Sequence, residues 1–225
     1  MTPEGIERLL AAMKLYHHPL SPNVRRVRLT AAVLGLELEE QVVDFAKGEH
    51  KTPSFLAINP NGALPALVDG DFVLTESRAI MQYLAAQKPE SGLLPTDERS
   101  RADVTRWQFW DSSHWAPALG AIAFERVIKG FMNLGAPDTA KVEENLKSFQ
   151  RWGAVLNGRL EGKQFVVGNA LTIADLTLAS SLMYAKQSDV PVAQFGNIDA
   201  WFGRISAHEA WGSGRTVSWW RSTAC

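Results

Sequence analysis

Three short stretches carry groups whose type and spacing suit chemistry. Ser21-Pro22 sets a hydroxyl before a proline, Leu64-Pro65 follows the turn-forming Asn59-Pro60-Asn61-Gly62, and Thr75-Glu76-Ser77-Arg78 precedes an apolar run. Ser-Pro reads as a helix N-cap followed by proline at the first helical position, where no N–H is needed. Thr75 reads as a second N-cap and Glu76 as a first-turn acid. Orphan backbone N–H groups then begin near Ser77 and suit a carboxylate. The dipeptide Ser21-Pro22 is explained by capping alone, as Asn-Pro-Asn-Gly and Asp69-Gly70 are by turn formation. No phosphate loop, zinc pattern or Ser-His-Asp arrangement follows from the spacings.

These stretches need a scaffold, and the order of elements predicts one. Lys14 to His17 reads as a strand, and Pro22 to Leu34 as a helix whose apolar face includes Val24, Val27 and Leu34 and which Gly35 ends. Leu38 to Phe45 reads as a second strand and Gly48 to Ala57 as a loop with a short helix. Two strands then flank Asp69-Gly70, for which a type I′ turn is expected, and a helix from Thr75 to Gln87 follows. The crossover between the first two strands permits a parallel pair, and the hairpin must be antiparallel. The prediction is a four-stranded mixed sheet with helices packed on it.

Lys88-Pro89 through Pro95 reads as a linker, after which strand signals fade. Thr96-Asp97-Glu98 starts a helix rich in Trp107, Phe109, Trp110 and Trp115, bent or interrupted near Pro117. Asp138 caps another helix with apolar residues at three-to-four spacing through Leu160. Thr172-Ile173-Ala174-Asp175 is a capping box with Asp in place of Glu, flanked by Leu171 and Leu176 as a hydrophobic staple. It opens a helix apolar on most faces and therefore central.

The ordered combination Leu64-Pro65-Ala66-Leu67, Asp69-Gly70 and Glu76-Ser77-Arg78-Ala79-Ile80 resembles the glutathione-binding half of cytosolic glutathione transferases. Leu20-Ser21-Pro22-Asn23-Val24-Arg25-Arg26-Val27 resembles the motif of serine-type, phi-like and bacterial members. The Thr172–Asp175 box is similar to one in the family's helical domain. The resemblance implies an α/β plus all-α protein: residues 13–88 thioredoxin-like, 89–96 a linker and 97–225 helical, after an extension over 1–12. It implies a cis bond before Pro65.

The resemblance also assigns roles. Ser21 would donate a hydrogen bond to the sulfur of the co-substrate glutathione. Ser77 would meet its γ-glutamyl carboxylate and Glu76 its ammonium. Leu64, beside Pro65, would bind the cysteinyl backbone, and His50 and Lys51 would face the glycine carboxylate. Many phi-like members carry glutamine where Ala63 stands, so one side-chain contact is missing here. Trp110, His114, Trp115 and Phe124 are candidates for lining an apolar second-substrate cleft, although tryptophans at helical spacing are commonly core.

The implied function is conjugation of glutathione to small hydrophobic electrophiles by a homodimer, without a metal. Alternatives on the same scaffold are a glutathione peroxidase, dehalogenase or isomerase; a non-catalytic ligand-binding or scaffold module is a third. A thiol-disulfide oxidoreductase is disfavoured, because such relatives carry cysteine where Ser21 stands.

Composition sets the outer bounds. The chain has 225 residues, 46% hydrophobic and 21% charged, as expected of a soluble globular protein. A formal net charge of −1 recommends neither nucleic acid nor a membrane as partner. The single cysteine, Cys225, rules out an intrachain disulfide and fits a reducing, cytoplasmic location. Residues 1–12 carry charges before any apolar run, unlike a signal peptide.

Overall fold

A computed structural model describes residues 13–213; the extension over 1–12 and Cys225 lie outside the described residues. It divides into two compact units, one holding the chain up to Lys88 together with Glu209–Ser213, the other Pro89–His208. The first is thioredoxin-like, with strand order β2-β1-β3-β4, and the second is helical.

In the first unit β1 (Lys14–His17) runs parallel to β2 (Glu39–Val42) and antiparallel to β3 (Ala66–Asp69), which pairs with β4 (Phe72–Thr75). Leu15 and His17 are buried and Lys14 and Tyr16 less so, the alternation of a pleated strand. Helices α1 (Pro22–Leu34) and α3 (Ser77–Ala86) pack together, contributing Val27, Ile80, Met81 and Leu84 to the core; α2 (Pro53–Leu56) is a single turn.

Three expectations change here. β2 is shorter than Leu38–Phe45, because Asp44 accepts from the amides of Ala46 and Lys47 and turns the chain. The hairpin turns on Gly70-Asp71, since Asp69 pairs with Phe72; only Gly70, at φ 61°, has a positive φ. That is the pattern of a type II′ turn instead of type I′. Thr75 stays in β4, paired with Ala66, and leaves Glu76 as the α3 N-cap.

In the second unit α4 (Glu98–Trp110), capped by Asp97, runs into a wide π-helical turn, Asp111–Trp115, before α5 (Ala116–Ala123). The predicted interruption near Pro117 takes this form: Ala116 N–H reaches back to Asp111, just ahead of a proline without a donor. A second wide turn, Phe124–Ile128, leads to α6 (Lys129–Phe131). Asp138 caps α7 (Thr139–Arg159) as expected, and Gly153 lets the Phe195 ring approach that helix.

The box at Thr172–Asp175 opens α8 (Ile173–Ser181), which is buried along nearly its whole length. Asp175 accepts from the Thr172 amide and hydroxyl, the Val166 amide and Trp201 Nε1. Burial pushes the Asp175 carboxyl up, against those four donors. After α9 (Gly196–Ala207) comes α10 (Glu209–Ser213), which belongs to the first unit. The expected helical domain over 97–225 therefore gives up residues 209–213, which pack on α1. The expected linker over 89–96 is counted with the helical unit and contains a helical turn at Pro89–Ser91.

Candidate active site

Sheet register gathers the site. β1 ends at His17 opposite Val42, the end of parallel β2. Tyr16 faces Ala66, the start of β3, and Ala66 faces Thr75, the end of β4. The segments 18–21, 43–51, 62–65 and 76–77 therefore all leave or enter the sheet at one end. These carry Ser21, His50 and Lys51, Leu64 and Pro65, and Glu76 and Ser77. Beneath them Val24, Val43, Phe55 and Leu64 form one buried cluster, with Tyr16 and Phe45 packed against it.

Ser21 is the α1 N-cap. Its Oγ accepts from Val24 N–H at 3.4 Å, and no described residue accepts the hydroxyl proton. Capping consumes a lone pair and leaves the donor available. Arg25, one turn on, stacks its guanidinium over Trp211 of α10 at 4.1 Å and donates to the Trp211 carbonyl at 3.0 Å.

Leu64-Pro65 is joined by a cis peptide bond. Asn59, read in the sequence only as turn chemistry, proves to be the post of this loop. It is buried, donates to the Ala63 carbonyl at 2.7 Å and accepts from the Asn61 amide at 3.1 Å. Gly62, at φ 59°, lies where a Cβ would sit 3.1 Å from the His50 carbonyl. The signal for Asn59 was its place before Pro-Asn-Gly, which does not distinguish an exposed turn from a buried one.

Glu76 adopts φ 66° and ψ 109°, a conformation unusual for a residue with a Cβ, and makes no side-chain cap bond. The first intrahelical bond of α3 runs from Ile80 N–H to the Glu76 carbonyl, so the amides of Ser77, Arg78 and Ala79 precede it. Ser77 is buried and Glu76 exposed. An exposed carboxylate beside helix-start amides suits a ligand bearing both an ammonium and a carboxylate.

His50 is half-buried with Phe45 4.5 Å away, and its Nδ1 is enclosed without a partner among the described residues; Lys51 is exposed. Two further histidines, which the sequence reading had not weighed, border the site. Burial pushes His17 down, opposed by Glu40, and likewise His18, opposed by Asp44.

The four second-substrate candidates lie in the helical unit. Trp110 and His114 belong to an aromatic group in which His114 stacks on Trp152 at 4.2 Å. Phe124 is 41% exposed. Trp115 is fully buried, stacked on Phe149 and donating to the Leu178 carbonyl at 3.3 Å. It is a core residue and, contrary to the expectation, does not line a cleft. Among the described residues no group of three His, Cys, Asp or Glu side chains could hold a metal ion, and no helix is long and apolar enough to cross a membrane.

A thioredoxin-like unit with these loops at one end of its sheet, followed by a helical unit, defines a class of protein, and comparisons specify it. Residues 11–86 match the family model for the N-terminal domain of glutathione S-transferases and residues 115–209 that for the C-terminal domain. Glutathione S-transferase 3 of Zea mays is 38% identical over 208 residues, covering 89% of this chain and 92% of that protein. The probable glutathione S-transferase GSTF2 of Oryza sativa subsp. japonica is 39% identical over 168 residues, 75% of this chain and 78% of that one. Among solved structures, glutathione S-transferase-I bound with lactoylglutathione superposes with a TM-score of 0.83 at 31% identity, covering 91% of this chain and 99% of that one. The chain belongs to the glutathione S-transferase family, in its serine-type, phi- and delta-like part.

Proposed function

We propose that this transferase binds glutathione at the sheet end described above, ionises its thiol with the Ser21 hydroxyl, and adds the sulfur to small hydrophobic electrophiles. The observation that carries the reading is the register: it brings a capping serine whose hydroxyl proton no described residue accepts, the Leu64-Pro65 loop and the α3 start to one end of one sheet. That a related structure is bound with lactoylglutathione supports the choice of ligand.

Each group has a task in this reading. Ser77 and the first α3 amides take the γ-glutamyl carboxylate, and Glu76 takes the ammonium. Leu64 offers its backbone, strand-fashion, to the cysteinyl portion beside Pro65, while His50 and Lys51 meet the glycine carboxylate. A free thiol titrates near about 8.5, so only about 3% is thiolate at pH 7. Lowering that pKa by about two requires about 2.7 kcal/mol of preference for the anion. A charge-assisted bond from Ser21 Oγ and the α1 N-terminus supply it.

The thiol proton leaves to solvent, and the sulfur lone pair forms the new bond to carbon. With a chloronitrobenzene acceptor, chloride departs with the electron pair of the broken carbon–chlorine bond. Trp110, His114 and Phe124 are the residues proposed to meet the apolar acceptor. We further infer a cytoplasmic homodimer.

The test is glutathione titration followed by conjugation assay of wild type and Ser21→Ala. Binding heat with wild type, and slower turnover with weakened thiolate absorbance in the variant, are expected. No heat with wild type, or an unaltered variant, sinks the reading.

A further inference from the structure

We propose that His18 is a positioning residue for Ser21: its imidazole, accepting through Nδ1, holds the four-residue turn that presents the serine hydroxyl, and its protonation releases that turn. The inference rests on the reading of Ser21 given above.

The turn His18-Pro19-Leu20-Ser21 joins β1 to α1. Pro19 has no N–H, so the turn holds two further amide donors ahead of α1. Ser21 N–H donates to the His18 carbonyl at 3.1 Å, and Leu20 N–H donates to His18 Nδ1 at 3.3 Å. Both therefore end on His18. A neutral imidazole that accepts at Nδ1 carries its proton on Nε2. The ring is braced by Phe45, edge-on to it at 5.4 Å, and Phe45 in turn lies 4.5 Å from the His50 ring.

Protonation reverses the sense of Nδ1. An imidazolium donates from both nitrogens, so Nδ1–H would face Leu20 N–H, donor against donor. Burial holds His18 in the neutral form, and the Asp44 carboxylate opposes this. Other charged or titratable groups lie near the ring among the described residues. Lys47 pairs with Asp44 at 3.3 Å, Glu49 accepts from the Asp44 amide, His17 adjoins in sequence beside Glu40, and His50 stands across Phe45. The turn is therefore intact at neutral pH and opens on the acid side.

Two variants separate geometry from titration. His18→Ala removes the acceptor. His18→Asn keeps one that never titrates, because an Asn oxygen accepts from the amide two residues on in an Asx turn. For His18→Ala, kcat should fall roughly five- to tenfold, the scale of one hydrogen bond. The bound thiol should titrate higher while KM for glutathione changes little. His18→Asn should restore most of kcat and make the acid limb of the kcat profile less steep than in wild type, leaving only the limb of the glutathione thiol.

An unchanged kcat in His18→Ala overturns the proposal, and so does an acid limb in His18→Asn that coincides with wild type. If His18→Ala does not fold, the pH profile of His18→Asn decides alone. Wild type that neither binds nor ionises glutathione removes the parent reading as well. A chain that conjugates and is slowed by Ser21→Ala, yet keeps its profile in His18→Asn, removes only this inference.

Discussion

In the proposed reading the Ser21 hydroxyl performs two operations with different atoms. Its oxygen takes Val24 N–H and so starts α1, while its proton is left to donate. Ser21→Ala therefore removes a cap worth about 1 kcal/mol and, on the proposed role, a hydrogen bond to the thiolate worth about 1.5–3 kcal/mol. Ser21→Thr keeps both groups on a bulkier Cβ. The Ala variant should melt a few degrees lower and turn over at least about tenfold more slowly, with Thr recovering the melting temperature first. Equal melting temperatures for Ala and wild type would show that the cap contributes nothing. Asp175 is the opposite case, a carboxylate used wholly inside the protein. Replacing it with Ala leaves the Val166 and Thr172 amides and the Trp201 indole without their acceptor. We expect a loss of about 3 kcal/mol or more in unfolding free energy, with glutathione affinity unchanged well below the melting point. Lower affinity at unchanged stability would contradict that assignment.

At the scale of elements, the junction of β4 and α3 is where local rules yield to pairing. Thr75 has the chemistry of an N-cap, but Ala66 holds it in the sheet, and Glu76 must turn the chain at φ 66°. A positive φ with a Cβ costs about 1–3 kcal/mol. Glu76→Gly should therefore melt no lower than wild type, while Glu76→Ala keeps the strain and loses the carboxylate. If Glu76 takes the glutathione ammonium as proposed, both should bind glutathione more weakly. A Glu76→Gly protein less stable than Glu76→Ala would refute the strain argument. In α7, a Cβ on Gly153 would lie 2.3–2.9 Å from Phe195, so Gly153→Ala should cost about 1–3 kcal/mol, read by denaturant unfolding.

The same contrast explains what the sequence made legible. The helix ends marked by Ser21, Gly35, Asp138 and Thr172–Asp175 depend on bonds made within a few residues, and each is where the sequence put it. The hairpin centre, the end of β2 and the Glu76 cap depend on which strand lies alongside, which no local pattern records. The site loops were legible as motifs, but Asn59 is buried and the His18 ring is packed against Phe45, which their ordinary turn sequences do not record. Trp115 shows the limit for aromatic residues: spacing puts it on a helix beside Trp110, and only packing on Phe149 and Leu178 reveals it as core.

For the whole molecule, a formal net charge of −1 at pH 7 leaves little general repulsion near neutrality, so the first losses on acidification fall to a few placed groups. His17 is buried against Glu40, 3.7 Å away, and burial outweighs that carboxylate and pushes the imidazole down; His18 is pushed down for the same reason. In the unfolded chain both titrate near about 6.5. Since the folded values lie lower, the unfolded state binds protons first as pH falls. Stability is thus complete above about pH 6.5 and declines as pH falls from there through the folded values. A second decline comes from carboxylates held below their ordinary range. The amides of Asp138 and Ser100 hold down Glu125 and Asp97, so the stability they lend is present above about pH 4 and lost below it. Thermal melts across this range should show a plateau near neutrality, a first fall beginning near about pH 6.5, and a steeper one below about pH 4. His18→Asn should make the first fall shallower without moving the second. A melting temperature that stays level from about pH 7 to about pH 5 would mean that neither histidine is held neutral by the fold.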